Sequence, residues 1–200
     1  MEENVKLTYN NKTFEFPLVK GSQDEYGVDI TKLRAQTGLI TLDPGFKNTG
    51  SCQSDITFLD GENGILRYRG YDIEDLADNA SFIEVAYLLI FGDLPSKKVL
   101  KVLEHKIHDD SYVDEDLKSI LKSFPKSAHP MGILASLTSG LIAFNPTSVD
   151  VNSEEDMLEA IVILLAKFPI LCAWTHRKVR GLPLNYANTS LSYIENVAHM

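Results

Sequence analysis

A five-residue stretch, Asp60-Gly61-Glu62-Asn63-Gly64, divides the sequence into two kinds of polypeptide. Asp-Gly and Asn-Gly tolerate positive φ, so the chain reverses tightly there. The flanking runs, Ile56-Thr57-Phe58-Leu59 and Ile65-Leu66-Arg67-Tyr68, are branched and aromatic enough to pair as short strands. Asp72 then stands where it can cap a helix beginning at Ile73. Sequence before this hairpin reads as small β structure and loop, and sequence after it reads almost wholly as helix. A mainly α chain with a β region over 1–70 and a helical region over 71–200 is the fold class expected.

In the first region Val5, Leu7 and Tyr9 alternate with Lys6 and Thr8, and Phe14, Phe16 and Leu18 alternate with Glu15 and Pro17. With Asn10-Asn11 between them, this pattern predicts a two-stranded hairpin with one buried face. Asp29 to Arg34 predicts one helical turn, and 38–54 predicts loop. In the second region, Ile73 to Ala77 is expected as a single turn. Ser81 with Glu84 three residues on is a capping box, and Gly92 marks that helix's end. Phe82, Val85, Ala86 and Leu89 are expected on its buried face. Pro95-Ser96 opens a helix with Val99, Leu100, Leu103 and Ile107 apolar, and 113–123 another with Leu117, Ile120, Leu121 and Phe124 inward.

The next two helices differ in kind. Met131 to Phe144 carries no charged residue, and Gly132, Ala135, Ser136, Ser139, Gly140 and Ala143 stand where a solvent face would be. A helix apolar or small all round is buried all round. Ser153 to Arg180 is also broadly apolar, with a kink expected at Pro169 and basic residues suited to the helix dipole at its end. This is more apolar helix surface than one small domain needs, so a partner surface is expected. A last helix is expected from about Ser190 to Met200, running on as though the chain had been cut.

The net charge of −9 argues against nucleic acid and anionic membrane surfaces as partners. No run of apolar residues approaches bilayer length, so no span is expected. Met1-Glu2-Glu3-Asn4 lacks a secretion-signal pattern, and Cys52 and Cys172 are expected as free thiols in a reducing cytoplasm. His105 and His108 share a helix face with Asp109 and Asp110 nearby, a pattern that reads as a polar helix end rather than a metal site. His129-Pro130 reads as a helix entry. His176 and His199 have no identifiable partner, and the acidic run from Asp109 to Asp116 lacks the spacing of a calcium loop. No phosphate-binding loop, dinucleotide fingerprint or nucleophile elbow occurs. No catalytic, cofactor-binding or metal site is assigned.

Several segments together resemble the N-terminal half of bacterial citrate synthase, in its type II branch. They include Asp43-Pro44-Gly45-Phe46, Ile56 to Gly61, Gly64 to Tyr71, Glu84 to Leu89, His129-Pro130-Met131, Lys167-Phe168-Pro169 and Leu191-Ser192-Tyr193. The resemblance implies the helical citrate synthase fold, and a cytoplasmic enzyme of the tricarboxylic acid cycle that joins acetyl-CoA to oxaloacetate. In that family an aspartate and two histidines do acid–base work without a metal. Acetyl-CoA is a co-substrate and no other cofactor is implied. The matching positions for those groups fall beyond Met200, so the 200 residues are expected to be inactive. The resemblance further implies a homodimer or higher homo-oligomer through helices near 130–144 and 153–180. NADH regulation is expected to be weak or absent, because Ile163 replaces an arginine near Lys167 and Asp109 and Asp110 are acidic. A 2-methylcitrate synthase, or a non-catalytic helical interaction module, are the alternatives.

Overall fold

A computed structural model describes residues 3–23, 25–146, 150–188 and 190–200. The chain divides into two compact units, Met1–Asp55 and Ile56–Met200. Composition places the change of character at residue 70, whereas contacts place it at 55, so the organising hairpin goes with the helices.

In the first unit β1 (Asn4–Tyr9) and β2 (Lys12–Lys20) pair antiparallel in the register Val5 to Phe16 and Leu7 to Phe14. Asn10 and Asn11 make the reversal at φ 49° and 58°, which fits the expected hairpin. A third strand, β3 (Tyr26–Val28), adds to β2; three residues around Gly27 gave no periodic signal. Phe16 is buried. The helical turn expected at Asp29 instead begins later, as α1 (Leu33–Thr37). Asp29 is spent on a local turn, its carboxylate accepting from the Thr31 amide at 2.9 Å and hydroxyl at 2.7 Å.

In the second unit β4 (Thr57–Asp60) pairs with β5 (Ile65–Tyr68), and β6 (Tyr71–Asp72) pairs back on β5. Asp60 holds the turn by accepting from the Asn63 amide at 3.0 Å and its side chain at 2.7 Å. These bonds hold its carboxyl below the usual aspartate range, the Asn63 side chain contributing most. Asp72 occupies the N-cap position of α2 (Ile73–Asn79) without capping it. Its carboxylate takes the Arg67 guanidinium at 2.6 Å instead, a cross-strand pair that closes the sheet. The helix runs two residues further than the single turn expected.

Among the described residues six helices build the rest: α3 (Phe82–Phe91), α4 (Lys97–Asp109), α5 (Glu115–Ser123), α6 (Pro130–Phe144), α7 (Glu154–Arg180) and α8 (Tyr193–His199). The α3 capping box forms in both directions, with Ser81 N donating to Glu84 at 2.7 Å. Gly92 closes it in the left-handed region at φ 94°. The face of α3 differs from the expected one: Ile83 and Leu88 are buried, while Phe82 is 50% exposed. Ile120 likewise lies on the open side of α5.

The core has two parts, joined by α7. Leu117 and Leu121 of α5, Ile133, Leu137 and Leu141 of α6, and Leu171 and Trp174 of α7 form one. Ile83, Ile107, Val162 and Ala166 form the other. In this chain α6 is not buried all round: Ile133, Leu137 and Leu141 are buried, while Met131 and Ile142 are 63% and 62% exposed. Gly140 belongs to the inner face, where a Cβ would come 3.1 Å from Leu117. α7 is continuous through Pro169. Over 18 residues its mean hydropathy is 2.0, so by length and composition it is long and apolar enough to cross a membrane. That corrects the expectation of no such run, which Lys167 and Pro169 obscured. Its inner face serves as the core helix of the unit, touching α4, α5, α6 and α8 (Tyr193–His199).

Candidate functional site

A concave feature with polar residues at its mouth lies among α3, α4, α7 and α8. It is a cavity of about 530 Å³. Ile83, Ala166, Ile170, Leu191 and Met200 give it apolar walls, and Lys101, Glu104, His105 and His108 form the mouth. α4 supplies that mouth because its amphipathic pattern turns Ile107 inward and leaves the polar residues of its last two turns outside.

Two of the polar groups here lie beside one carboxylate. His105 Nε2 lies 4.0 Å and His108 Nδ1 3.5 Å from the Asp109 carboxylate, and the two rings stack at 6.3 Å. His105 is exposed, in accord with a polar helix end. Among the described residues no three His, Cys, Asp or Glu side chains form a group able to hold a metal ion. Tyr193 stands at the inner edge, its hydroxyl donating to the Leu165 carbonyl at 2.9 Å and its ring stacked on Phe82 at 5.2 Å. Burial, and secondarily the nearby Cys172, pushes its phenol up to about 12. Asn196 donates to the carbonyls of Asn188 at 2.9 Å and Leu191 at 3.3 Å. The Ser192 hydroxyl in the cavity lining donates to Glu195 at 2.6 Å as part of the capping box of α8, and the arrangement otherwise offers shape and apolar surface.

The other sequence candidates are dispersed. His129 caps α6, its Nδ1 accepting from the Met131 amide at 3.2 Å. His176 and His199 are exposed. Both cysteines are free; Cys52 is exposed, and burial raises the Cys172 thiol. In the acidic run, Asp114 caps α5 by accepting from the Asp116 amide at 2.8 Å. Lys167 is buried on α7, its ammonium 3.3 Å from Asn145 Oδ1 and 5.2 Å from the centre of the Tyr112 ring. Ile163, one turn away, is buried as well.

One cluster carried no sequence signal. Lys118 donates to Tyr186, whose hydroxyl donates to Glu115 at 2.7 Å, and the ammonium lies over the rings of Tyr186 and Trp174. Some 68 residues separate Lys118 from Tyr186, beyond the reach of any local periodicity. The Trp174 indole N–H donates to the Asn185 carbonyl at 2.7 Å, and Arg177 donates to the carbonyls of Pro183 and Met200. Together these contacts bind the irregular 182–188 segment to α5 and α7.

Residues 45–200 match the family model described as citrate synthase, C-terminal domain. The citrate synthase of Corynebacterium glutamicum is 42% identical over an alignment that takes in 100% of this chain and 47% of that protein. The chain therefore spans about half the length of this curated relative. The solved citrate synthase of Thermotoga maritima superposes with a TM-score of 0.67 at 30% identity, covering 80% of this chain and 41% of that one. That of Pyrobaculum aerophilum gives 0.67 at 29%, covering 82% and 44%. The fold, and a family match running through more than three quarters of the sequence, lead to one conclusion: the chain belongs to the citrate synthase family.

Proposed function

We propose that these 200 residues are the N-terminal scaffold of a citrate synthase of the bacterial type II branch, and that the complete protein condenses acetyl-CoA with oxaloacetate and hydrolyses citryl-CoA to citrate and CoA. The carrying observation is the relation of lengths: all of this chain aligns with less than half of the Corynebacterium glutamicum enzyme. None of His105, His108, His129, His176 and His199 does the chemistry in this reading. Their positions support it, since each is exposed, capping a helix or paired with Asp109.

A homo-oligomer forms through the outward faces of α6 and α7 in the same reading. Met131, Ala135, Ser136, Ser139 and Ile142 lie on one exposed side of α6, and Leu164 and Phe168 are exposed on α7. Small residues at helical spacing let two helices approach closely, and apolar ones make the approach favourable. NADH regulation is weak or absent, because Lys167 is turned into contacts with Asn145 and Tyr112 and the neighbouring Ile163 offers no charge. Calorimetry with NADH is expected to show no saturable heat, and tight binding contradicts this part.

The functional test is a single polypeptide joining this chain to the portion of the Corynebacterium glutamicum enzyme beyond the alignment. It is expected to release CoA from acetyl-CoA and oxaloacetate faster than from propionyl-CoA. Preference for propionyl-CoA, or no turnover by a folded joined protein, contradicts the assignment.

A further inference from the structure

We propose that Asn63 is a site of spontaneous covalent modification, where the side-chain amide cyclises on the Gly64 peptide nitrogen, and that Asp60 is the guard that sets its rate. Asn63-Gly64 is the one Asn-Gly pair in the sequence; every other asparagine precedes a residue with a side chain. That difference decides reactivity, because the attacking atom is the next residue's peptide nitrogen and a Cβ beside it obstructs the approach. Gly64 has none, and no atom beyond its chain neighbours lies within 4 Å of where one would stand. Asn63 and Gly64 are both exposed, and Gly64 sits at φ 69°. Water and hydroxide therefore reach the pair freely.

The step balances without a cofactor or a second protein group. The Gly64 nitrogen gives its proton to hydroxide and attacks Asn63 Cγ. The new C–N bond closes a cyclic imide, the Cγ–Nδ2 bond breaks, and ammonia departs with a proton taken from water. Water then adds to either imide carbonyl. Opening at one restores the main chain and leaves aspartate. Opening at the other sends the main chain through the former side chain and leaves isoaspartate.

The fold directs this reaction and holds it back. Asp60 Oδ2 accepts from Asn63 Nδ2 at 2.7 Å, and Oδ1 accepts from the Asn63 peptide N–H at 3.0 Å. Cyclisation needs the side chain to turn from Asp60 towards Gly64, so the first of these bonds must open. It is charge-assisted, which places it among the stronger hydrogen bonds. Asp60-Gly61 forms the same imide only from a protonated carboxyl, and the bonds from Asn63 favour the ionised one. Conversion at Asn63 in turn acts on the hairpin that leads into the helices. Either product sets a second carboxylate beside Asp60. Isoaspartate also lengthens the backbone inside a turn whose register puts Asp60 opposite Ile65 and Leu59 opposite Leu66.

The chain is incubated at mildly alkaline pH and followed by peptide mass spectrometry, with aspartyl and isoaspartyl forms resolved by chromatography. Asn63 is expected to convert before any other asparagine. Unfolding in guanidinium chloride is expected to speed its conversion by roughly tenfold or more, as loss of a hydrogen bond to a charged group implies. Folded Asp60→Ala is expected to recover most of that gain, Asp60→Asn to fall between, and Asn63→Gln to show no conversion at this position. Another asparagine converting first, or a folded rate equal to the unfolded one, overturns the proposal. So does an unchanged rate in Asp60→Ala with the circular dichroism of the unmodified chain. The converted protein, separated by its added negative charge, is expected to unfold at lower denaturant concentration; an equal midpoint overturns the effect assigned to the hairpin.

Discussion

At the scale of single residues, the second unit is held by polar groups that satisfy one another across long sequence separations. Tyr193 illustrates the cost of burying such a group. Its hydroxyl keeps one bond, to Leu165, and its phenolate form is disfavoured by the apolar surroundings. The folded protein retains this proton while the unfolded chain, titrating near 10, releases it. Stability from this group is therefore constant below pH 10 and declines as pH rises from 10 to about 12. Absorbance titration is expected to show one phenolate step near the upper value that is missing in Tyr193→Phe. That variant is expected to lose about 1 kcal/mol at neutral pH, the usual worth of one hydrogen bond. A Tyr193 step at 10 contradicts the described burial.

At the scale of elements, several strands, turns and caps were legible because their signals are local, whereas β3 gave none and Asp72 does not cap α2. Asn10-Asn11, the Ser81–Glu84 box and Gly92 each dictate backbone geometry within a few residues. What could not be read was orientation. On α3 the pattern favours Phe82 as much as Ile83, and only packing against α4 and α7 decides for Ile83. The same holds for Gly140, which by composition is one more small residue on an outer face. In the structure it admits Leu117, placing it in the α5–α6 contact. Gly140→Val is expected to destabilise the chain by about 1–3 kcal/mol through overpacking, measured by urea unfolding. Gly132 has open space around its Cβ position, so Gly132→Ala is expected to be tolerated there. Equal effects at the two positions contradict this account of the α5–α6 contact.

At the scale of the whole molecule, the dispersal of the described histidines and the surplus of exposed apolar helix have one explanation in the proposed function. The sequence alone suggested both, because uncharged Met131–Phe144 and the scattered histidines are visible in the order of residues. Which surfaces remain open was not visible, since that depends on how α6 and α7 turn against α5. Sedimentation equilibrium at tens of micromolar is expected to show self-association that Met131→Asp combined with Ile142→Asp abolishes. A clean monomer of the unmodified chain removes the interface assignment.

The central claim is that these residues form scaffold and that the bond-making groups are supplied from elsewhere in the polypeptide. The most direct measurement is citrate formation by the 200-residue chain itself, incubated with acetyl-CoA and oxaloacetate and followed by mass spectrometry. No citrate above the protein-free control is expected at any protein concentration. Saturable citrate formation that scales with the chain and is lost on its denaturation contradicts the claim.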